Sequence, residues 1–124
     1  MPVITEQENL GDLIKYEAGS LFSREDIVVN TGQNIAFATV VARLNTGGNI
    51  VTLNSGGGGG NDIAVGIICE DVNASTGTKK SWMIARHAIV AEDAVIWPAG
   101  TTATQMTTAI NQLKALGILI RKDA

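Results

Sequence analysis

With 124 residues, a formal net charge of −3 and only 17% charged residues, the chain has the size of one domain and can bury roughly two-thirds of the surface its unfolded form exposes. Its nine basic residues are scattered, which argues against a nucleic-acid surface, where clustered Lys and Arg must neutralise phosphates. The longest apolar run, residues 63–69, falls far short of the ~20 residues of a membrane span, and one histidine and one cysteine exclude multi-histidine or thiolate metal sites and an intrachain disulfide.

The first residues, Met1-Pro2-Val3-Ile4-Thr5, have neither a basic nor an apolar leader region, so cytoplasmic synthesis without a secretory signal is expected. Residues 1–26 carry a local net charge of −4 against +1 for the remainder. Few large apolar side chains occur here, too few to offset an ordering cost of about 1–2 kcal/mol per residue. Residues 1–20 are therefore expected to form an extended arm, and residues 21–124 a single β-rich body.

Short strand signals follow at residues 26–30, 35–44, 50–53, 63–69, 81–90 and 94–97, separated by Gly- and Asn-containing turns. Several are rich in Val and Ile on both faces, which suits strands covered on each side. One helix is predicted: Ala103, Met106, Ala109, Ile110, Leu113 and Leu116 recur at spacings of three and four. Thr101 or Thr102 can cap it, Lys114 suits its C-terminal end, and Gly117 is placed to stop it. A last short strand spans residues 118–120, and the fold class is mainly β with one principal helix near the C-terminus.

Catalytic chemistry is sparse. The run Gly56 to Gly60 ends in Asn61-Asp62 and leads into a strand pattern, so it lacks the Gly-Lys-Ser/Thr ending of a P-loop and the helix of a dinucleotide fingerprint. It reads as a flexible surface loop. Cys69 sits in an apolar run and is expected in the core. His87, by strand alternation, shares a face with Met83, Ala85 and Ile89 and reads as a partly buried structural histidine. A Cys69-His87 nucleophile pair has no local signature, and none of Ser20, Ser23, Ser55, Ser75 or Ser81 stands in a nucleophile elbow. The neighbouring carboxylates Glu25-Asp26, Glu70-Asp71 and Glu92-Asp93 would point apart on strands, and Asn73-Ala74-Ser75 is a chance match to a glycosylation acceptor. Trp97 before Pro98 is expected to be a core tryptophan at an element boundary.

The order Ala64-Val65-Gly66-Ile67, a Thr-rich loop and strand, then Glu92-Asp93-Ala94-Val95-Ile96-Trp97-Pro98 leading into a helix and a final apolar strand resembles the lambda-type bacteriophage head-decoration proteins. The upstream stretch Glu17-Ala18-Gly19-Ser20-Leu21-Phe22-Ser23-Arg24-Glu25, then Ile27-Val28-Val29 and residues 38–42, is similar to the same family. The resemblance spans nearly the whole chain, with the Gly56 to Gly60 insert and the charged tail after Ile120 as departures.

The resemblance implies a compact β-rich decoration-protein fold with an N-terminal arm, and a non-enzymatic protein without cofactor or metal. It implies homotrimers, made in the host cytoplasm and bound to the major capsid protein on the outer surface of the expanded head, that resist the pressure of packaged DNA. No nucleic acid, membrane or small-molecule substrate is expected. The arm is expected to add a strand to an exposed sheet edge, with Val3, Ile4, Thr5, Leu10, Leu13 and Ile14 as anchors. Two alternatives stand beside this reading: a monomeric binding module for carbohydrate or an adaptor, which would expose an aromatic platform, and a small hydrolase, which would bring Cys69 and His87 together.

Overall fold

The computed structural model describes residues 10–54 and 59–122. Its elements run α1 (Leu10–Leu13), β1 (Ile14–Glu17), α2 (Ser20–Ser23), β2 (Arg24–Val29), β3 (Asn34–Ile35), β4 (Val40–Arg43), β5 (Ile50–Thr52), β6 (Ala64–Ile68), β7 (Val72–Asn73), β8 (Lys79–Ile84) and β9 (Ala88–Ala91). A 3-10 turn (Glu92–Ala94), the main helix α3 (Ala103–Ala115) and β10 (Ile118–Arg121) complete it. The protein is mainly β, with its principal helix near the C-terminus.

Five strands close into a barrel in the order β2-β5-β4-β6-β8, with β8 returning to β2. Alternation along these strands sends Ile27, Val29, Val41, Ile50, Ile68 and Met83 into one core. Their neighbours Val40, Ala42, Val51, Ile67 and Ile84 face the other way, into a second core shared with Leu13, Ala88, Val90, Ala109, Leu113 and Ile118. The barrel wall at β4 and β6 is thus apolar on both sides, as the doubled Val/Ile pattern predicts. Strand β2, by contrast, turns Asp26 and Val28 to solvent. At Gly66 a Cβ would stand 2.5 Å from the Ile84 carbonyl oxygen and 2.7 Å from Met83 Sδ, so this close crossing of β6 and β8 requires glycine.

A second, three-stranded sheet in the order β1-β9-β10 covers the shared core together with α3. Helix α3 starts with a capping box: Thr102 Oγ1 accepts from the Gln105 amide and Gln105 Oε1 accepts from the Thr102 amide. It buries Ala109 and Leu113, half-buries Met106 and Ile110, and leaves Ala103 and Leu116 exposed, a narrower buried stripe than its spacing predicts. Gly117 follows in the left-handed region at φ 83°.

Three expectations are corrected. The predicted strands over 35–44 and 81–90 are each interrupted, at Ala38 (φ 73°) and His87 (φ 51°). Alanine gives no warning of the first break and histidine only a weak one of the second, and tertiary hydrogen bonds hold both: the Ala38 amide donates to the Ile68 carbonyl at 2.9 Å, and the His87 carbonyl accepts from the Ala18 amide at 2.9 Å. The break removes His87 from the face of Met83 and Ala85 and leaves it exposed. Residues 94–97 form the end of the 3-10 turn and a lone bridge, Thr39 to Ile96.

The third correction concerns the arm. Residues 10–17 belong to the body: β1 pairs antiparallel with β9, Tyr16 opposite Ile89 and Glu17 opposite Ala88, and Leu13 is 0% exposed. An edge on β9 and an opening in the shared core offer this short segment partners that composition alone does not reveal. Ile14 lies opposite Val90 and Arg121 opposite Ala91, so the chain enters β1 and leaves β10 at the same end of the sheet, about 10 Å apart across two strand spacings.

Candidate functional site

The residues with catalytic potential are dispersed. Cys69 is buried, its thiol donates to the Ile67 carbonyl at 3.5 Å, and burial pushes its pKa up to about 12, so it stays a protonated thiol. His87 stands at the surface, its ring edge-on to Phe22 at 4.9 Å. The two are not brought together. Among the described residues no three His, Cys, Asp or Glu converge as a metal site.

Four of the carboxylates serve structure. Asp71 accepts from the Phe37 amide at 2.8 Å, Glu70 from Ser81 Oγ at 2.8 Å, and Glu25 pairs with Arg43 at 2.6 Å and Arg86 at 3.7 Å. Asn73 accepts from the Ser75 amide at 3.1 Å, closing a local turn. Glu17 is the most heavily engaged: Arg24 donates to it through Nε at 3.1 Å and Nη2 at 2.6 Å, and buried Ser23 donates at 2.7 Å. The Arg24 guanidinium holds the Glu17 carboxyl below its ordinary pKa, assisted by Ser23 against the opposing effect of burial. Arg24 also lies 4.4 Å over the Trp82 ring, so this cluster ties β1 to the barrel.

The glycine run is anchored where it is described. The Gly59 carbonyl accepts from the Asn45 amide at 2.8 Å, and at Gly60 (φ 97°) a Cβ would stand 2.8 Å from Asn45 Oδ1 and closer still to the Arg43 carbonyl oxygen. This end is packed against the turn after β4 and is not a free loop; its preceding residues lie outside the described ones.

The surface is more informative. On the outer face of the three-stranded sheet Tyr16 is 60% exposed, and Phe22, edge-on to His87, is 52% exposed. The cross-strand row Tyr16, Ile89, Leu119 flanks an apolar socket of about 220 Å³ floored by Gly117 and walled by His87. A wider groove of about 660 Å³ on the barrel mixes Asp26, Arg43 and Lys80 with Val28 and Trp82.

The residues expected to anchor a capsid fall into two groups. Val3, Ile4 and Thr5 lie outside the described residues. Leu10 and Ile14 are half-buried against the shared core and Leu13 is enclosed by it, so none of these three stands on a free arm. Trp97 is half-buried against the same core and Pro98 half-buried beside it, its carbonyl accepting from Thr101 Oγ1 at 2.6 Å. The exposed pair Tyr16 and Phe22 was missed; its signal was an aromatic in each of two short segments otherwise poor in apolar residues.

A barrel several of whose polar side chains hold its own elements together, and whose outer sheet face presents apolar groups to solvent, defines a protein that works through surfaces. The family model of the bacteriophage lambda head decoration protein D matches residues 3–118, and the chain belongs to that family. No curated protein shows a match to the chain. Membership gives it a role in decorating the phage capsid, at the virion surface, in a family of structural proteins.

Proposed function

We propose that this protein cements the phage head: homotrimers seat on the outer surface of the expanded shell, bind the major capsid protein and hold it against the outward pressure of packaged DNA. The observation that carries this reading is the placement of the N-terminal exit. The segment before Leu10 joins the body beside β1, an edge strand of its sheet among the described residues. Nine residues span at most ~30 Å when extended, and Val3, Ile4 and Thr5 supply the β-branched residues of a strand that adds to a capsid sheet edge. One such strand binds weakly because ordering it costs free energy. Three on one rigid trimer make the later engagements intramolecular and raise avidity by orders of magnitude. Glu6 and Glu8 favour a basic capsid partner, with a salt-sensitive encounter.

A monomeric module for carbohydrate needs a flat aromatic platform. Trp82 lies beneath Arg24, Phe22 beneath Arg86 at 5.6 Å, and Phe37 and Trp97 against the core; Tyr16 is left alone. The test mixes the protein with expanded, undecorated shells and looks for density at threefold sites, with light scattering for the trimer mass. Because residues 10–14 are part of the body, the informative truncation removes residues 2–9. It leaves a folded trimer that no longer coats; retained coating overturns the role of the arm.

A further inference from the structure

We propose that the outer face of the β1-β9-β10 sheet is one half of a contact between copies of this chain, and that the other half is the patch around Ile63 on the neighbouring copy's barrel. This rests on the homo-oligomeric reading above and assigns it a surface.

Two apolar patches on separate elements carry the inference. The first is the sheet face, where Tyr16, His87, Ile89, Gly117 and Leu119 line the socket and Phe22 extends it. With Tyr16 60% and Phe22 52% exposed, these two rings alone offer on the order of 200 Å². Ile89, Leu119 and the His87 ring bring the face to roughly 300–400 Å², about half of the ~800 Å² each partner buries in a standard interface. That proportion suits the apolar centre of such a contact, with the rim supplied by polar neighbours. The socket itself holds no carboxylate or ammonium group, and the Arg86 guanidinium over the Phe22 ring at 5.6 Å is paired with Glu25 at 3.7 Å, so a contact that covers Phe22 takes in a charge that already has a partner.

The second patch is on the barrel. Ile63, just ahead of β6, is 49% exposed and with Leu44 and Val65 forms the apolar side of a groove of about 350 Å³ that Arg43 and Asn45 also line. A twofold dimer needs one self-complementary patch; two different patches on one subunit fit a head-to-tail contact that closes into a ring when the rotation allows. The socket, about 220 Å³, accommodates a single protruding aliphatic side chain, and Ile63 is the most exposed large aliphatic side chain of the described residues.

The test uses the full-length protein with Tyr16→Glu or Ile63→Glu, measured by sedimentation across a concentration series, with circular dichroism to establish folding. Both positions are exposed, Tyr16 by 60% and Ile63 by 49%; if either charge unfolds the chain, Tyr16→Ser and Ile63→Ser replace them. Each variant alone is expected to weaken association at least roughly thirtyfold. Mixed in equal amounts, they are expected to form a two-chain species, because each supplies the half the other lacks. An unchanged mass for Ile63→Glu, or for Tyr16→Glu, overturns the assignment, as does a wild-type monomer or a mixture that stays monomeric. Coating of shells is scored separately: a wild-type monomer that coats sinks this contact and leaves decoration standing, whereas an oligomer that responds to the variants but fails to coat does the reverse.

Discussion

Replacing Leu13 with alanine tests whether the N-terminal segment is part of the folded body. The side chain is 0% exposed and belongs to the core cluster that holds Val90, Leu113 and Ile118. Removing three carbons forfeits about 2.4 kcal/mol of transfer free energy at ~0.8 kcal/mol each. The enclosing β9, β10 and α3 cannot fully collapse into the space, so a cavity contribution raises the expected cost to roughly 3–4 kcal/mol. For a domain of this length each kcal/mol corresponds to about 3–6 °C, so the midpoint of thermal unfolding should fall by roughly 10–20 °C at fixed protein concentration. Deleting residues 2–9 in parallel should leave the midpoint within a few degrees. An L13A midpoint equal to that of the parent protein would refute the placement of Leu13 and return the segment to the solvent.

Gly60→Ala should cost upwards of about 2 kcal/mol in urea unfolding, since its Cβ collides with backbone of the turn after β4 at φ 97°; a neutral result would show that the turn relaxes. Glu17→Gln should reduce stability at neutral pH by roughly 1–3 kcal/mol by weakening a charge-assisted cluster. Because the folded Glu17 pKa is lowered, the wild-type advantage is fully present above the ordinary carboxylate range and disappears as pH falls through the folded value. Stability curves of the two proteins should therefore converge in acid, and parallel curves down to pH 2 would remove the assigned role. Cys69, buried with a pKa near 12, should resist iodoacetamide in the folded protein and react on denaturation; rapid labelling of the native state would contradict its burial.

How much of this was legible follows from how local each feature is. The capping box at Thr102 and the stop at Gly117 are written within one turn of chain, and Val40, Val41 and Ala42 announce a strand covered on both sides. Strand β1 was illegible because Ile14-Lys15-Tyr16-Glu17 has one aliphatic residue and acquires its identity from β9, some seventy residues away. The breaks at Ala38 and His87 were illegible for the same reason: alanine does not signal a left-handed backbone and histidine does so only weakly, and the bonds that hold them come from distant segments. Barrel closure by β2 and β8 joins residues 24–29 to 79–84, a pairing no window of sequence contains. The surface followed suit, since Tyr16 and Phe22 become a face only once β1 lies beside β9.

The seat of Leu13 also decides how the subunit would carry a mechanical load. A pull on the chain ahead of residue 10 meets α1 first, then a side chain plugged into the interior, and only afterwards the β1-β9 hydrogen bonds and the Arg24 grip on Glu17. If the arm acts as the proposed tether, tension entering at that corner meets these interior contacts before the edge strand can peel away, which suits a subunit that restrains something that swells.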